Sequence, residues 1–371
     1  MRNHLLTIAS LLLALSLTGW CQTSASAKKN TRGSALADVF EIAKQLEIAP
    51  MPKPSWASRS QPPIFRVAWM TDLHITDQKS IDLVTAACHA IRDDLKPNFT
   101  MITGDNCGYD QGGLDDNEKR LPQPVRRQLW LKKFLDRELA SPYCIIPGDN
   151  WPWGFDQVFG PHHYSFDFGG IHFQFAATDI QAGGAEGCAV FTPESWSWMQ
   201  QDLQKNASKP TLFILHETLW PAAFLEADRT AAMLTANPQV IAVLSGHLHL
   251  DLEFTRGAWK QVIAPAIGRS HRPGFKVISL FPDLLLLESH EWNAEAKAFQ
   301  QAEKWQKIDI PEHLRAGLSQ PPITGFQPEN RAEMPAAPKQ RDDKLGSRAG
   351  ELSNSMMTFI LTIGLDTLFG P

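Results

Sequence analysis

Asp72 and His74 stand two residues apart at the end of a short apolar run, Phe65-Arg66-Val67-Ala68-Trp69-Met70. In an extended segment, residues at i and i+2 point the same way, so this carboxylate and imidazole face one point in space. Both are ligands for a divalent metal. Alone the pair is a weak signal, compatible with a strand end entering a polar turn. Its weight comes from recurrence. Asp105 follows the run at 99–103, Asp149 the run at 143–146, His216 the run at 211–215, and His247 and His249 the run at 240–244. A mixed carboxylate and imidazole set suits Mn, Fe, Zn or Co better than Mg or Ca. Seven ligands exceed what one tetrahedral ion takes. Two ions about 3.5–4 Å apart, sharing a carboxylate, would use them all.

The elements that must position these residues are readable from periodicity. Residues 80–96 read as a helix with Ile81, Val84, Ala87, Cys88, Ile91 and Leu95 on one face, stopped by Pro97. A charged loop at 114–124 precedes a second helix at 125–139, carrying Leu129, Trp130, Phe134 and Leu135. Three strand–helix units, each closed by an acidic turn, predict an α/β fold with a partly parallel sheet. Sites in such sheets form at the carboxyl ends of the strands. Two alternating runs around Gly169-Gly170 predict a hairpin over 163–175. Helices at 194–205 and 222–236 follow, with strands at 261–266, 274–280 and 284–288, which predict a second, mostly antiparallel sheet packed on the first. A polar helix at 293–307 then leads into a Pro- and charge-rich stretch, to about residue 352, whose composition favours disorder.

The bulk composition bounds the function. The chain has 371 residues, 43% of them hydrophobic and 20% charged, which is ordinary globular composition with ample length for a core. Its net charge is −5 with no long basic run, which argues against binding nucleic acid through a general basic surface. Residues 1–27 read as an export signal: Arg2, an apolar core at 5–17, and Ala25-Ser26-Ala27 before Lys28. The protein is therefore expected to be exported, to the periplasm, cell envelope or outside. Lipidation at Cys21 is the lesser reading, because Trp20 stands where a small residue is wanted. Residues 28–62 read as a linker with one helix at 35–48, residues 63–292 as the catalytic domain, and 293–355 as the polar helix and disordered segment. The apolar tail at 356–371 is short for a membrane span and reads as docked on the domain, frayed, or membrane-associated. Cys88, Cys107, Cys144 and Cys188 remain after cleavage and are as readily buried thiols as bridges.

Asp72-x-His74, Gly104-Asp105, Gly148-Asp149-Asn150, His216 and Gly246-His247-x-His249 together resemble the five-block signature of the calcineurin-like metallophosphoesterases, in order and context over roughly residues 64–290. The hairpin Tyr164–Phe173 resembles one common in the secreted, purple-acid-phosphatase-like branch. The resemblance implies two packed mixed β-sheets flanked by helices in a four-layer sandwich. It implies that Asp72, His74, Asp105 and His249 hold one metal, that Asp105, the third-block residue, His216 and His247 hold the other, and that a hydroxide bridging two Mn, Fe or Zn ions attacks a phosphate mono- or diester. The substrate would be a phosphorylated small molecule or lipid head.

One departure matters. The family's third block reads Gly-Asn-His, with Asn a ligand and His serving the leaving oxygen. Here Asp149 takes the Asn place and Asn150 the His place, unless the register slips and Asn150 is the ligand. Asp149 would add negative charge, holding metal more tightly at reduced Lewis acidity. Asn150 can donate a hydrogen bond but no proton. Three readings follow: a substrate with a good leaving group, another acid such as His162, His163 or His271, or a protein that binds metal and phosphate without turnover. Glu217, Trp151 and Trp153 are candidate pocket-wall residues.

Overall fold

The computed structural model describes residues 44–178, 180–181, 189–318 and 326–335. Its first sheet is seeded by the run already noted, which forms strand β1 (Phe65–Met70). β2 (Phe99–Thr103) and β3 (Tyr143–Ile146) lie parallel beside it. Their near-complete burial fits strands covered on both faces. Helix α1 (Gln78–His89) joins β1 to β2. Asp77 caps it, its carboxylate accepting from the Ser80 amide while the Ser80 hydroxyl accepts from the Asp77 amide. The helix widens into a π-turn over Ala90–Leu95 and stops at Lys96, whose φ is +46°, just before Pro97. Helix α2 (Gln123–Glu138) joins β2 to β3, with Pro124 in its first turn.

Alternation along β1 divides the core. Ala68 and Met70 meet α1 and α2 through Val84, Cys88, Leu131 and Leu135. Val67 and Trp69 point the other way, into the space between the sheets, with Phe166, Phe173, Leu212 and Leu244. Those belong to β4 (Tyr164–Phe168), β5 (Ile171–Phe175), β8 (Thr211–Ile214) and β9 (Val240–Ser245) of the second sheet. On its far face α4 (Pro193–Lys205) and α5 (Ala227–Thr235) bury Trp196, Met199 and Leu234 against Phe213 and Val243. A single turn, α3 (Phe155–Val158), follows the third acidic block, and a two-stranded ribbon pairs β6 (Ile180–Gln181) with β7 (Ala189–Val190). The result is helix, mixed sheet, mixed sheet, helix.

The remaining strands are β10 (Leu252–Arg256), β11 (Trp259–Ile263), β12 (Gly274–Leu280), β13 (Leu284–Asn293), β14 (Ala298–Asp309) and β15 (Glu329–Glu333). The first sheet runs β14-β13-β12-β1-β2-β3 and the second β10-β11-β9-β8-β5-β4-β15. The second sheet is not mostly antiparallel: β11 with β9, β9 with β8, and β8 with β5 are parallel pairs. β12 and β13, expected in it, extend the first sheet instead.

The helix expected at 293–307 is strand β14, paired with β13 from Leu284↔Asp309 to Asn293↔Ala298. Its Ala, Glu, Gln and Lys favour helix, but the long β13 edge overrides that weak preference. Asn293 closes the hairpin, accepting from the amides of Glu295 and Ala296. Within the stretch whose composition favours disorder, Glu329–Glu333 pairs with β4, and Phe326 packs on Phe99 with ring centroids 4.5 Å apart. The folded body thus extends past the boundary expected at 292. The described end of the expected linker is also docked: Ile48 donates to Asp251 O, Met51 to Glu303 O, and Ala57 packs with Phe281 and Trp305. Cys88, Cys107 and Cys144 are buried free thiols. The export signal, residues 35–43 of the helix expected at 35–48, Cys188 and the apolar tail lie outside the described residues.

Candidate metal centre

Every candidate ligand sits just beyond a strand, in loops that gather at one edge of the sandwich. The β1 and β2 loops run on together past the strand ends, Asp72 donating its amide to Gly104 O and His74 to Asp105 O. Five of the seven candidates hold the left-handed backbone: Asp72, His74, Asp105, His247 and His249, with φ between +42° and +69°. Such angles are uncommon outside glycine and cluster where surrounding structure enforces them at functional sites. Two glycines before ligands are dictated by crowding. A Cβ on Gly104, itself at φ +105°, would overlap the His216 ring, and one on Gly246 would overlap Thr71 Oγ1 and Asp72 Oδ2.

The seven side chains converge as two groups, Asp72, His74, Asp105 and His249, and Asp149, His216 and His247, with the ligand atoms in each within 4.8 Å of one another. Asp105 lies between them, its Oδ2 3.4 Å from His74 Nε2 and its Oδ1 3.3 Å from His216 Nε2. Asp149 Oδ1 is 3.1 Å from both His216 Nε2 and His247 Nδ1. Asp72 Oδ1 faces His249 Nε2 at 3.1 Å, His74 Nε2 at 3.8 Å and His216 Nε2 at 3.9 Å. It is buried yet accepts no hydrogen bond. His74 Nε2 and His249 Nε2 face each other at 2.9 Å. A buried carboxylate oxygen without a donor, beside nitrogens aimed at one another, is costly in a protein interior and is relieved by a cation. The donor set therefore fits metal.

The outer contacts fix the same orientation. Asp72 Oδ2 accepts from Thr71 Oγ1 and the His247 amide, at 2.8 and 2.9 Å. His216 Nδ1 donates to Thr103 O at 2.7 Å and His249 Nδ1 to Arg269 O at 3.3 Å, which leaves each Nε2 lone pair for the centre. The third block resolves in one register. Asp149 joins the second group, whereas Asn150 donates its amide nitrogen to Asp105 Oδ2 at 2.6 Å and its backbone nitrogen to Asp105 Oδ1 at 2.8 Å. Asn150 thus steadies the carboxylate that both groups share.

Burial would raise every carboxyl here, but His216, His249 and His74 hold Asp72 below the usual range, and His247 with His216 does the same for Asp149. Asp105 is pushed up to about 6 by burial and the Asp149 charge. Burial, then the charge of His249, brings His74 down to about 3. Against burial, Asp149 raises His247 to about 9, and Asp105 and Asp72 raise His216. The pocket is a dense array of opposed charges, as sites that bind cations require.

The alternative acids are differently placed. His162 bonds Asp156 at 2.7 Å and lines a cleft of about 200 Å³ with Pro147, Trp153 and Thr178. His163 is buried. His271 pairs with Glu47 at 3.0 Å. Glu217 is buried, accepts from Thr178 Oγ1, and is raised by burial. Trp151 sets its ring edge against His74, and Trp153 is 59% exposed. Sequence reasoning missed Arg269, a single arginine in a loop with no motif around it, and Glu47, which lies far upstream.

A calcineurin-like phosphoesterase family model matches residues 65–251. Among solved structures, a dimetal phosphatase from Danio rerio is similar in fold, with a TM-score of 0.53 at 11% identity, covering 67% of this chain and 100% of its own. GAP50, the anchor in the inner membrane complex of Plasmodium, gives a TM-score of 0.48 at 12% identity, covering 71% of this chain and 97% of its own. Vps29 from Entamoeba histolytica, complexed with zinc, gives 0.33 at 12%, covering 66% and 99%. No curated protein matches the chain. The matched span opens at β1 and closes just past His249, so it takes in every candidate ligand, and the chain belongs to the calcineurin-like phosphoesterase family.

Proposed function

We infer that this protein is an exported phosphoesterase that works with two metal ions, Mn, Fe or Zn, on a phosphate ester of a small molecule or lipid head. The observation that carries the reading is Asp105, whose two oxygens face imidazoles of different groups. Export rests on the leader at 1–27 alone. Two cations held there would acidify a shared water and take up charge on the phosphate oxygens. The chain's own residues do the positioning. Asp105 spans the groups, Asn150 holds Asp105, and the carbonyls of Thr103 and Arg269 orient His216 and His249. Asn150 has no proton to give a leaving oxygen, which favours esters with good leaving groups, since general acid help is worth about 10²–10⁴ in rate.

The test is hydrolysis of nitrophenyl mono- and diesters by chelator-stripped protein given back Mn, Zn or Fe. Activity that returns with metal, at two equivalents by elemental analysis, supports the reading. Asp105→Asn should lose metal affinity by at least about 100-fold, beyond the range of outer-shell changes, and lose hydrolysis with it. Retained turnover in that variant would overturn the assignment. The second reading, a metal- and phosphate-binding protein without turnover, is favoured by the commitment of the Asn150 amide to Asp105. Bound metal with no hydrolysis of any ester would select it.

A further inference from the structure

The loop after β11 is tied to the end of β1. Ile267 donates to Thr71 O at 3.3 Å and Gly268 to Asp72 O at 2.9 Å. The next residue, Arg269, receives the His249 Nδ1 hydrogen bond on its carbonyl and holds a left-handed φ of +50°. Its guanidinium carbon stands 5.6 Å from the centre of the Trp151 ring. Trp151 in turn contacts His74, with ring centroids 5.6 Å apart. Arg269 is therefore built into the rim of the metal centre at its backbone, with its head over the Trp151 ring.

The side chain is exposed, and among the described residues no carboxylate pairs with it. This is unusual beside a pocket holding Asp72, Asp105 and Asp149, in a chain of net charge −5. A planar guanidinium over an aromatic face is suited to the oxygens of a phosphate, which it grips in a fork. The third block gives a reason for one here. With an acid at Asp149, three carboxylates face the centre, so an arriving phosphate meets more negative charge than a neutral amide at that place would present. A cation on the rim offsets it.

We propose that Arg269 grips the phosphate of the substrate and selects a monoester, the class with a terminal, dianionic phosphate. The proposal rests on the metal reading of the same pocket. A monoester has three non-bridging oxygens and a diester two, so if the cations took two of them, only a monoester would leave one for the guanidinium. Trp151, beneath the guanidinium, limits where that oxygen can sit.

The test uses Mn-loaded full-length protein, wild type, Arg269→Ala and Arg269→Lys. Inorganic phosphate binding is measured by calorimetry, and KM is measured for p-nitrophenyl phosphate and for bis(p-nitrophenyl) phosphate. Arg269→Ala should weaken phosphate binding about tenfold or more, the effect of one charge-assisted hydrogen bond. The monoester KM should rise by a similar factor while the diester KM barely moves and Mn content stays at the wild-type level. Arg269→Lys should recover part of the loss, because it restores charge without the fork. Unchanged phosphate affinity, equal losses on both esters, or loss of Mn from the alanine variant would overturn the proposal. Wild-type protein that binds Mn and phosphate but cleaves neither ester overturns the catalytic reading alone, and phosphate binding by the variants still decides Arg269. Wild-type protein that takes up neither Mn nor, offered in its place, Zn or Fe overturns the metal reading and this inference with it.

Discussion

Gly246 shows how tightly single residues are specified at the centre. It precedes His247 and lies against Thr71 and Asp72, so a methyl group there has nowhere to go. Asp72 cannot yield easily, since its Oδ2 is fixed by Thr71 and by the His247 amide. Gly246→Ala is expected to cost about 1–3 kcal/mol in urea unfolding, the usual range for overpacking. It should also weaken metal binding, because the Cβ displaces the oxygen that orients Asp72. Calorimetric metal titration beside the unfolding curve separates the two effects, and full metal affinity in a destabilised variant would show that the crowding is merely structural.

At the scale of elements, the notable device is the segment ahead of β1. Glu47 is 5% exposed at its side chain and reaches two loops at once. Its Oε1 accepts from the Asp251 amide at 3.2 Å, two residues beyond His249, and its Oε2 meets His271 Nε2 at 3.0 Å, two residues beyond Arg269. Leu46 packs with Leu248, Leu250 and Leu252 on the same side. One carboxylate thus joins the loop that supplies a candidate ligand to the loop that supplies the rim arginine. Glu47→Ala should speed hydrogen exchange at the Asp251 amide and around residues 269–271, while the amides of β1 and β2 keep their protection. Exchange unchanged at both loops would mean that the packing of Leu46 alone holds the segment.

Across the whole molecule, pH should act through a second polar cluster, separate from the candidate metal ligands and supplied by residues between Asp149 and His216 together with Asn330. Buried His172 in β5 bonds Asp167 of β4 at 2.8 Å and Asp202 of α4 at 2.9 Å. Lys209 and Asn330 of β15 also donate to Asp167. Burial pulls the His172 imidazole down, but its bonds to the two carboxylates bring it above its ordinary value. Its contribution is therefore complete below the unfolded-state pKa and is lost as pH rises through the folded one. Asp167 is opposite in sign. Burial would raise it, but its bonds to His172, Lys209 and Asn330 hold it at about 2, so its contribution is lost as pH falls toward that value. Both act together between roughly pH 4 and 6.5. His172→Gln should cost on the order of 3 kcal/mol near pH 5, the penalty for unpairing buried charges. The difference in Tm from wild type should narrow by pH 9, and a constant difference would mean that folding leaves the His172 pKa unchanged.

The sequence by itself determined where the strands of the core end and which residue types stand there. Apolar runs with polar stops are written in consecutive residues, and Asp72, Asp105, Asp149, His216, His247 and His249 were readable on that basis. It also determined the α/β alternation, because helix and strand periods are local. Only the tertiary structure decided that Asp149 rather than Asn150 faces His216 and His247, since a one-residue choice in a turn depends on which side chain the opposite loops can receive. It decided that 298–309 is strand, because the partner edge of β13 outweighs the helical leaning of Ala, Glu and Lys. It also decided that Glu47 and Arg269 belong to the site. Neither carries a local signal, and their roles arise from segments more than 200 residues apart meeting at one rim.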